Sequence, residues 1–166
     1  MKLRHLFFAC SGVFVMMFSL LLLVVIVFSD EEDGGSGGNL IYGGVSVSQE
    51  VLAHKPMLEK YAREYGIEEY LNVLLAIIQV ESGGTLEDVM QSSESLGLPP
   101  NSLSTEESIK QGCKYFSELL AAAEAKGCDL NSVVQSYNYG GGFLDYVAGR
   151  GKKYTFELAE SFARDK

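Results

Sequence analysis

Hydrophobic residues follow two different patterns along the chain. From Leu6 to Phe28 they form an uncharged, almost entirely apolar run of 23 residues. As a helix this run would be about 34 Å long, which is enough to cross a bilayer. From residue 46 onward, apolar residues recur at helical spacing between residues that typically begin or end helices. The sequence therefore predicts one transmembrane helix followed by an all-α domain.

The charges beside the apolar run indicate its orientation. Lys2 and Arg4 precede it, and residues 30–33 contain four acids. Because positive charge stays on the cytoplasmic side, the N-terminus is expected inside the cell and everything after Ser29 outside it. A cleaved signal peptide is the alternative. The run is longer than a usual signal core, however, and no small-residue cleavage site follows it.

Residues that typically begin or end helices divide the rest of the chain. Ser46 with Gln49 is predicted to begin a helix that reaches Tyr65 and is kinked or divided at Pro56. A second helix is expected from about Glu68 to Ser82. Its segment 73–80 is apolar almost all round, which is typical of a helix surrounded by others.

Three further caps predict the remaining helices. Ser104 with Glu107 begins a long helix that Gly127 ends, Asp129 begins one that reaches about Tyr137, and Thr155 begins the last. A short helix is expected at 143–148. The stretches 83–103 and 138–142 are predicted to be irregular, and binding sites are usually carried by such loops.

Charge and composition exclude several classes of function. Residues 34–166 contain 11 lysines and arginines against 18 aspartates and glutamates, a formal charge of −7. Without a basic stripe, nucleic acid is not expected as a partner. His5 and His54 are the only histidines and no C-x-x-C pair occurs, so neither a metal nor another cofactor is predicted.

Glu81 is the one acid at the end of the apolar helix, and Ser82-Gly83-Gly84 follow it directly. The carbonyl end of a helix and the removal of water both disfavour a carboxylate, so the pKa of Glu81 is expected to be raised. A raised carboxyl pKa is what the general acid of a glycosidase needs. An ordinary solvated helix end is the alternative.

Three blocks in order resemble one family. They are residues 81–84 (ESGG), residues 88–95 (DVMQSSES) and residues 136–140 (SYNYG). These are similar to the signature blocks of the lytic transglycosylase and goose-type lysozyme superfamily. Within it, the blocks resemble the lysozyme-like domain of Gram-positive, conjugative-element-associated wall hydrolases. The resemblance covers about residues 45–164 and implies a lysozyme-like helical bundle around a buried central helix.

The resemblance also implies a substrate and a division of the chain. Residues 1–29 would be a cytoplasmic tip and membrane anchor, residues 30–45 a Gly-rich acidic linker, and residues 46–166 a catalytic domain acting on peptidoglycan. Glu81 would protonate the glycosidic oxygen, Met90 and Gln91 would line the floor of the cleft, and the turn at residues 137–140 would close over the glycan. Substrate binding is expected of Ser82, Met90, Gln91, Ser93, Glu94, Tyr137, Asn138, Tyr139 and Gly140.

A second carboxylate would decide the reaction. In this superfamily, enzymes relying on one Glu form an anhydro sugar by internal attack, whereas hydrolases use a second acid to activate water. Asp88 is the predicted second catalytic residue because the glycines after Glu81 let it fold back, with Glu87 and Glu94 as lesser candidates. The sequence thus favours an N-acetylmuramidase and leaves a lytic transglycosylase as the alternative.

Two rival readings stay open. One is a non-catalytic glycan-binding scaffold beside a conjugation or secretion complex, and the other is a small helical membrane adaptor. Related chains often continue into a linker and a peptidase domain. The sequence is compatible both with a single-domain form and with a longer protein.

Overall fold

The computed structural model describes residues 41–42 and 45–165. The predicted membrane segment, residues 6–28, lies outside the described residues. Among the helices that are described, none is both long enough and apolar enough to cross a membrane.

Apart from one short hairpin, the regular secondary structure of the described residues is helical. Strands β1 (Ile41–Tyr42) and β2 (Val45–Ser46) pair antiparallel. Seven α-helices follow, namely α1 (Gln49–Ala53), α2 (Lys55–Glu64), α3 (Leu71–Glu81), α4 (Thr105–Lys126), α5 (Leu130–Tyr139), α6 (Gly142–Ala148) and α7 (Phe156–Arg164). Short 3-10 helices lie at Glu68–Tyr70 and Ser92–Leu96. The helical architecture is confirmed, whereas strands of two residues are too short to show an alternating pattern in the sequence.

Local caps set most of the helix boundaries. The capping box of Ser104 and Glu107 begins α4, and the side chains of Asp129 and Thr155 cap α5 and α7 as predicted. The first cap was assigned wrongly, because Ser46 belongs to β2 and it is the side chain of Ser48 that accepts a hydrogen bond from the Val51 amide. The predicted division of the first helix is confirmed near Pro56.

Helix α3 supplies the centre of the core. Six consecutive residues, 73 to 78, are buried, as the apolar pattern predicted. Helices α1 and α2 pack on α3, and α4 packs on α2, α5 and the second 3-10 helix. A smaller apolar cluster, which contains Tyr139, Phe143, Val147 and Ala159, joins α6 to α7. This packing fixes the end of α3 beside the loop 83–103.

Helix α5 is longer than the sequence predicted. Asn138 and Tyr139 form its last turn instead of an irregular stretch, and α6 already begins at Gly142. The break between the two helices is confined to Gly140, with φ of 83° and ψ of 158°, and Gly141. That backbone conformation at Gly140 is one that essentially only glycine adopts.

Candidate active site

A cleft of about 300 Å³ opens where α3, α4, α5 and the second 3-10 helix meet. Its lining comes from all three sequence blocks and from one helix outside them. The lining residues are Glu81, Gln91, Ser92, Glu94, Ser95, Tyr115, Tyr137, Asn138, Tyr139 and Gly140. A mixture of carboxylates, amides, hydroxyls and aromatic rings suits a ligand rich in hydroxyl and N-acetyl groups.

Glu81 is the last residue of α3 and is half-buried in this cleft. Burial raises the pKa of its carboxyl from the ordinary 4.5 to about 8, and the negative charges of Glu94 and Asp88 add to the effect. The predicted rise of the Glu81 pKa is confirmed. Its second cause after burial is the charge of the neighbouring carboxylates, where the sequence predicted the helix carbonyls. A carboxyl with this pKa keeps its proton at neutral pH and can donate it.

Asp88 does not line the cleft. It is fully buried, and its carboxylate accepts hydrogen bonds from the Ser108 hydroxyl at 2.6 Å, the Ser92 amide at 3.0 Å and the Ser93 amide at 3.2 Å. The two amides belong to the first residues of the second 3-10 helix, so Asp88 caps that helix and ties it to α4. Asp88 was predicted to be the base that activates water, but both of its carboxylate oxygens already accept hydrogen bonds from the protein.

Three other predicted binding residues also lie behind the cleft surface. Met90 is fully buried, its amide donates to the Ser108 hydroxyl at 3.0 Å, and its carbonyl accepts from the Tyr137 hydroxyl at 3.1 Å. Ser82 donates to the carbonyl of Val89 at 2.7 Å, and Ser93 is fully buried. The Ser82 hydroxyl and the Met90 backbone hold the loop beside the cleft, and none of these three residues is among those that line it.

Gln91 and Glu94 are the two predicted binding residues of the second block that line the cleft, where Ser92 and Ser95 accompany them. Gln91 has a left-handed backbone, with φ of 46° and ψ of 38°, which is uncommon for a residue other than glycine. Its side-chain amide donates to the Asp88 carbonyl and to Asn101 Oδ1, both at 2.8 Å. These bonds stabilise the strained turn that presents the exposed carboxylate of Glu94 beside Glu81.

Tyr115 lines the cleft but was not predicted to do so. Its ring lies 5.5 Å from that of Tyr137, measured between centroids, and burial raises the pKa of its phenol. It lies on α4 one turn after Gly112, where a Cβ atom would come within 2.5 Å of Met90 Sδ. The small residues Ser108 and Gly112, spaced four apart before Tyr115, are the sequence signal of this close approach.

Comparison with known proteins agrees with the lysozyme-like helical fold that the sequence predicted. The family model described as lysozyme-like matches residues 48–166. The chain is 44% identical over 124 residues to the "Bifunctional muramidase/DL-endopeptidase CwlT" of Bacillus subtilis, covering 74% of this chain and 37% of that one. It is 37% identical over 121 residues to the "Uncharacterized membrane protein YocA" of the same organism, covering 72% and 54%.

One solved structure is also similar. It is a crystal structure of a protein similar to a lipoprotein of the NLP/P60 family, from Staphylococcus aureus subsp. aureus Mu50. The identity is 74% and the TM-score 0.73, over 74% of this chain and 41% of that one. The chain therefore spans less than two thirds of the length of each of these relatives.

Proposed function

The chain belongs to the lysozyme-like family, and from that membership and the cleft around Glu81 we propose that it cleaves the glycan strands of peptidoglycan. The bond cleaved is the one between N-acetylmuramic acid and N-acetylglucosamine. The muramidase named among its relatives supports this substrate. The observation that carries the proposal is Glu81, a carboxyl with a pKa of about 8 that faces a cleft of polar and aromatic groups.

Glu81 acts as the general acid. At neutral pH it is mostly protonated, and it transfers that proton to the glycosidic oxygen as the bond to C1 of the muramic sugar breaks. Activity is expected to persist through pH 7 and to decline as the pH rises through about 8, because Glu81 then loses its proton. The aromatic rings and amides of residues 137–139 bind the sugars on either side of this bond.

Glu94 is the carboxylate we propose to activate water in a hydrolase. It lines the same cleft as Glu81, and its charge raises the Glu81 pKa more than the charge of Asp88 does. In this mechanism the water oxygen bonds to C1 and the water proton passes to Glu94, while the leaving oxygen keeps the proton from Glu81. Asp88 is then a positioning residue, which holds the 3-10 helix that carries Glu94.

The burial of Asp88 also favours a second candidate, a lytic transglycosylase. An enzyme with one catalytic carboxyl needs no base for water. The C6 hydroxyl of the muramic sugar attacks C1 instead, and its proton returns to Glu81 after the leaving oxygen has taken the first one. The product carries a 1,6-anhydro ring, whereas hydrolysis leaves a reducing end.

A peptidoglycan-containing gel tests the proposal against a non-catalytic glycan-binding scaffold. Wild-type chain is expected to clear the gel, and Glu81→Gln is expected to bind the same peptidoglycan without clearing it. A protein that binds peptidoglycan but clears no gel in either form would favour the scaffold.

Residues 6–28 are proposed to hold the domain at the outer face of the cell membrane. The uncharged apolar run and the flanking charges support this orientation, and one relative carries the name of a membrane protein. A place beside conjugation or secretion machinery is part of the same proposal. Protease added to intact protoplasts should digest the domain, whereas a shortened form in the medium would indicate a cleaved signal peptide.

A further inference from the structure

Residues 48–54 lie against the segment that follows Glu81. The amide of Ser48 donates to Gln79 Oε1 at 2.7 Å, and the Ser48 hydroxyl donates to the Gly83 carbonyl at 3.3 Å. At the other end of α1, His54 Nε2 donates to the Gly84 carbonyl at 2.9 Å. We call residues 48–54 the N-terminal strap. The strap thus binds Gln79, two residues before Glu81, and the loop that directly follows Glu81.

The strap and the loop touch backbone to backbone. A Cβ atom at Gly84 would lie 2.7 Å from both the Glu50 carbonyl carbon and the Val51 nitrogen. Gly84 also has φ of 77°, a conformation that L side chains rarely adopt. Val51, at the centre of the strap, is fully buried. The contact therefore requires glycine at position 84.

The strap adds restraints at the end of α3 to those from Ser82, whose hydroxyl donates to the Val89 carbonyl at 2.7 Å and accepts from the Gly84 amide at 3.0 Å. Gly83 and Gly84 both have positive φ, and glycines carry the largest backbone freedom of any residue. The three strap hydrogen bonds fix a side chain before Glu81 and two carbonyls after it. These restraints lie on both sides of Glu81 in the sequence and limit the movement of the backbone that carries its carboxyl.

We propose that the N-terminal strap positions Glu81 for proton transfer and that His54 is its key positioning residue. His54 does not line the cleft, so it acts through the Gly84 carbonyl and not on the substrate. The proposal rests on the proposed role of Glu81 as the acid. His54 is the histidine among the described residues, and the proposed glycan chemistry does not otherwise use it.

Two amide substitutions distinguish this role from general packing. The Nε2 of glutamine can take the place of the histidine Nε2–H, whereas the shorter asparagine amide matches the Nδ1 position and does not reach the Gly84 carbonyl. His54→Asn is therefore expected to lower kcat on soluble glycan strands about tenfold or more with little change in KM, because small displacements of a catalytic group are costly. His54→Gln should stay within about twofold of wild type.

A second readout does not depend on activity. The pKa of the Glu81 carboxyl, followed by carbon-13 NMR on the full chain in detergent, should fall in His54→Asn because a released loop admits water. It should keep its wild-type value in His54→Gln. If wild type cleaves no glycan, the proposed function fails, and the two NMR titrations still decide whether His54 positions the carboxyl.

Glu106→Ala serves as the control for lost stability. It removes the bonds from Tyr61 and Lys60 to Glu106, at 2.6 and 2.9 Å, which join α2 to α4 outside the cleft. This variant should leave both kcat and the Glu81 pKa unchanged. The proposal is overturned if His54→Asn keeps the wild-type pKa, or if Glu106→Ala lowers kcat as much as His54→Asn does.

Discussion

Replacing the acid that the proposed mechanism needs should make the protein more stable. Glu81→Gln keeps the shape of the side chain and removes the ionisable group. Burial beside two other carboxylates raises the Glu81 pKa to about 8, so the folded state holds a proton that the unfolded chain gives up near pH 4.5. A catalytic site of this kind is maintained at the expense of stability.

The size and sign of the effect follow from proton linkage. Between about pH 4.5 and pH 8 the unfolded chain binds fewer protons than the folded chain, so the free energy of unfolding falls by about 1.4 kcal/mol per pH unit from this group. The loss reaches about 3 kcal/mol at pH 7 and levels off at about 5 kcal/mol above pH 8. Glu81→Gln has no such loss. The free energy of unfolding of Glu81→Gln should exceed that of wild type only slightly near pH 4.5 and by about 3 kcal/mol at pH 7.

Urea unfolding, followed by the helical circular dichroism signal at about pH 5, 7 and 9, measures this difference. The quantity of interest is the free energy of unfolding of the variant minus that of wild type, because other titrating groups then cancel. Glu124→Gln is the matched control, since Glu124 is an exposed glutamate of α4. Its difference from wild type should stay within about 0.5 kcal/mol at each pH.

Two results would refute the reasoning. If the difference for Glu81→Gln does not grow with pH, Glu81 titrates near its ordinary value and is not poised as an acid. If Glu81→Gln is less stable than wild type at pH 7, the carboxylate is stabilised by its surroundings, which is the opposite of what burial predicts.

Three further variants test the parts of the site that support Glu81. Asp88→Asn should lower stability by about 2 kcal/mol, because its amide cannot accept from all three donors, and urea unfolding equal to wild type would contradict the capping role. Gly112→Ala should cost about 1–3 kcal/mol, since its Cβ would lie 2.5 Å from Met90 Sδ and 2.8 Å from the Tyr137 hydroxyl; an unchanged Tm would count against this packing. Glu94→Gln should lower kcat about 10²–10⁴-fold in a hydrolase at little cost in stability, and a modest loss would favour internal attack.

The sequence predicted the elements that depend on neighbouring residues. The capping box at Ser104 and the caps at Asp129 and Thr155 act within one helical turn, and each was located correctly. The buried centre of α3 was also predicted, because an apolar run of that length has no other place in a helical domain. Glu81 was predicted as the acid from the same run and from the glycines after it, and the structure places it in the cleft with a raised pKa.

The sequence did not predict features that depend on distant residues. Asp88 was predicted to be the second catalytic carboxylate, but its partner Ser108 is 20 residues away on α4. Tyr115 reaches the cleft only because Gly112 lets α4 approach Met90. His54 looked like a lone histidine, and its contact with Gly84 spans 30 residues. In each case a tertiary contact decides the role of the side chain, and only for Tyr115 does a local pattern, the small residues Ser108 and Gly112, mark that contact.

Mass spectrometry of the muropeptides released from purified peptidoglycan tests the central claim most directly. Wild-type chain should release glycan fragments, and Glu81→Gln should release them at least about 10²-fold more slowly, because the amide has no proton to transfer. Reducing N-acetylmuramic ends would identify the muramidase and 1,6-anhydro ends the transglycosylase. Release of the same fragments at comparable rates by both proteins would contradict the assignment of Glu81 as the catalytic acid.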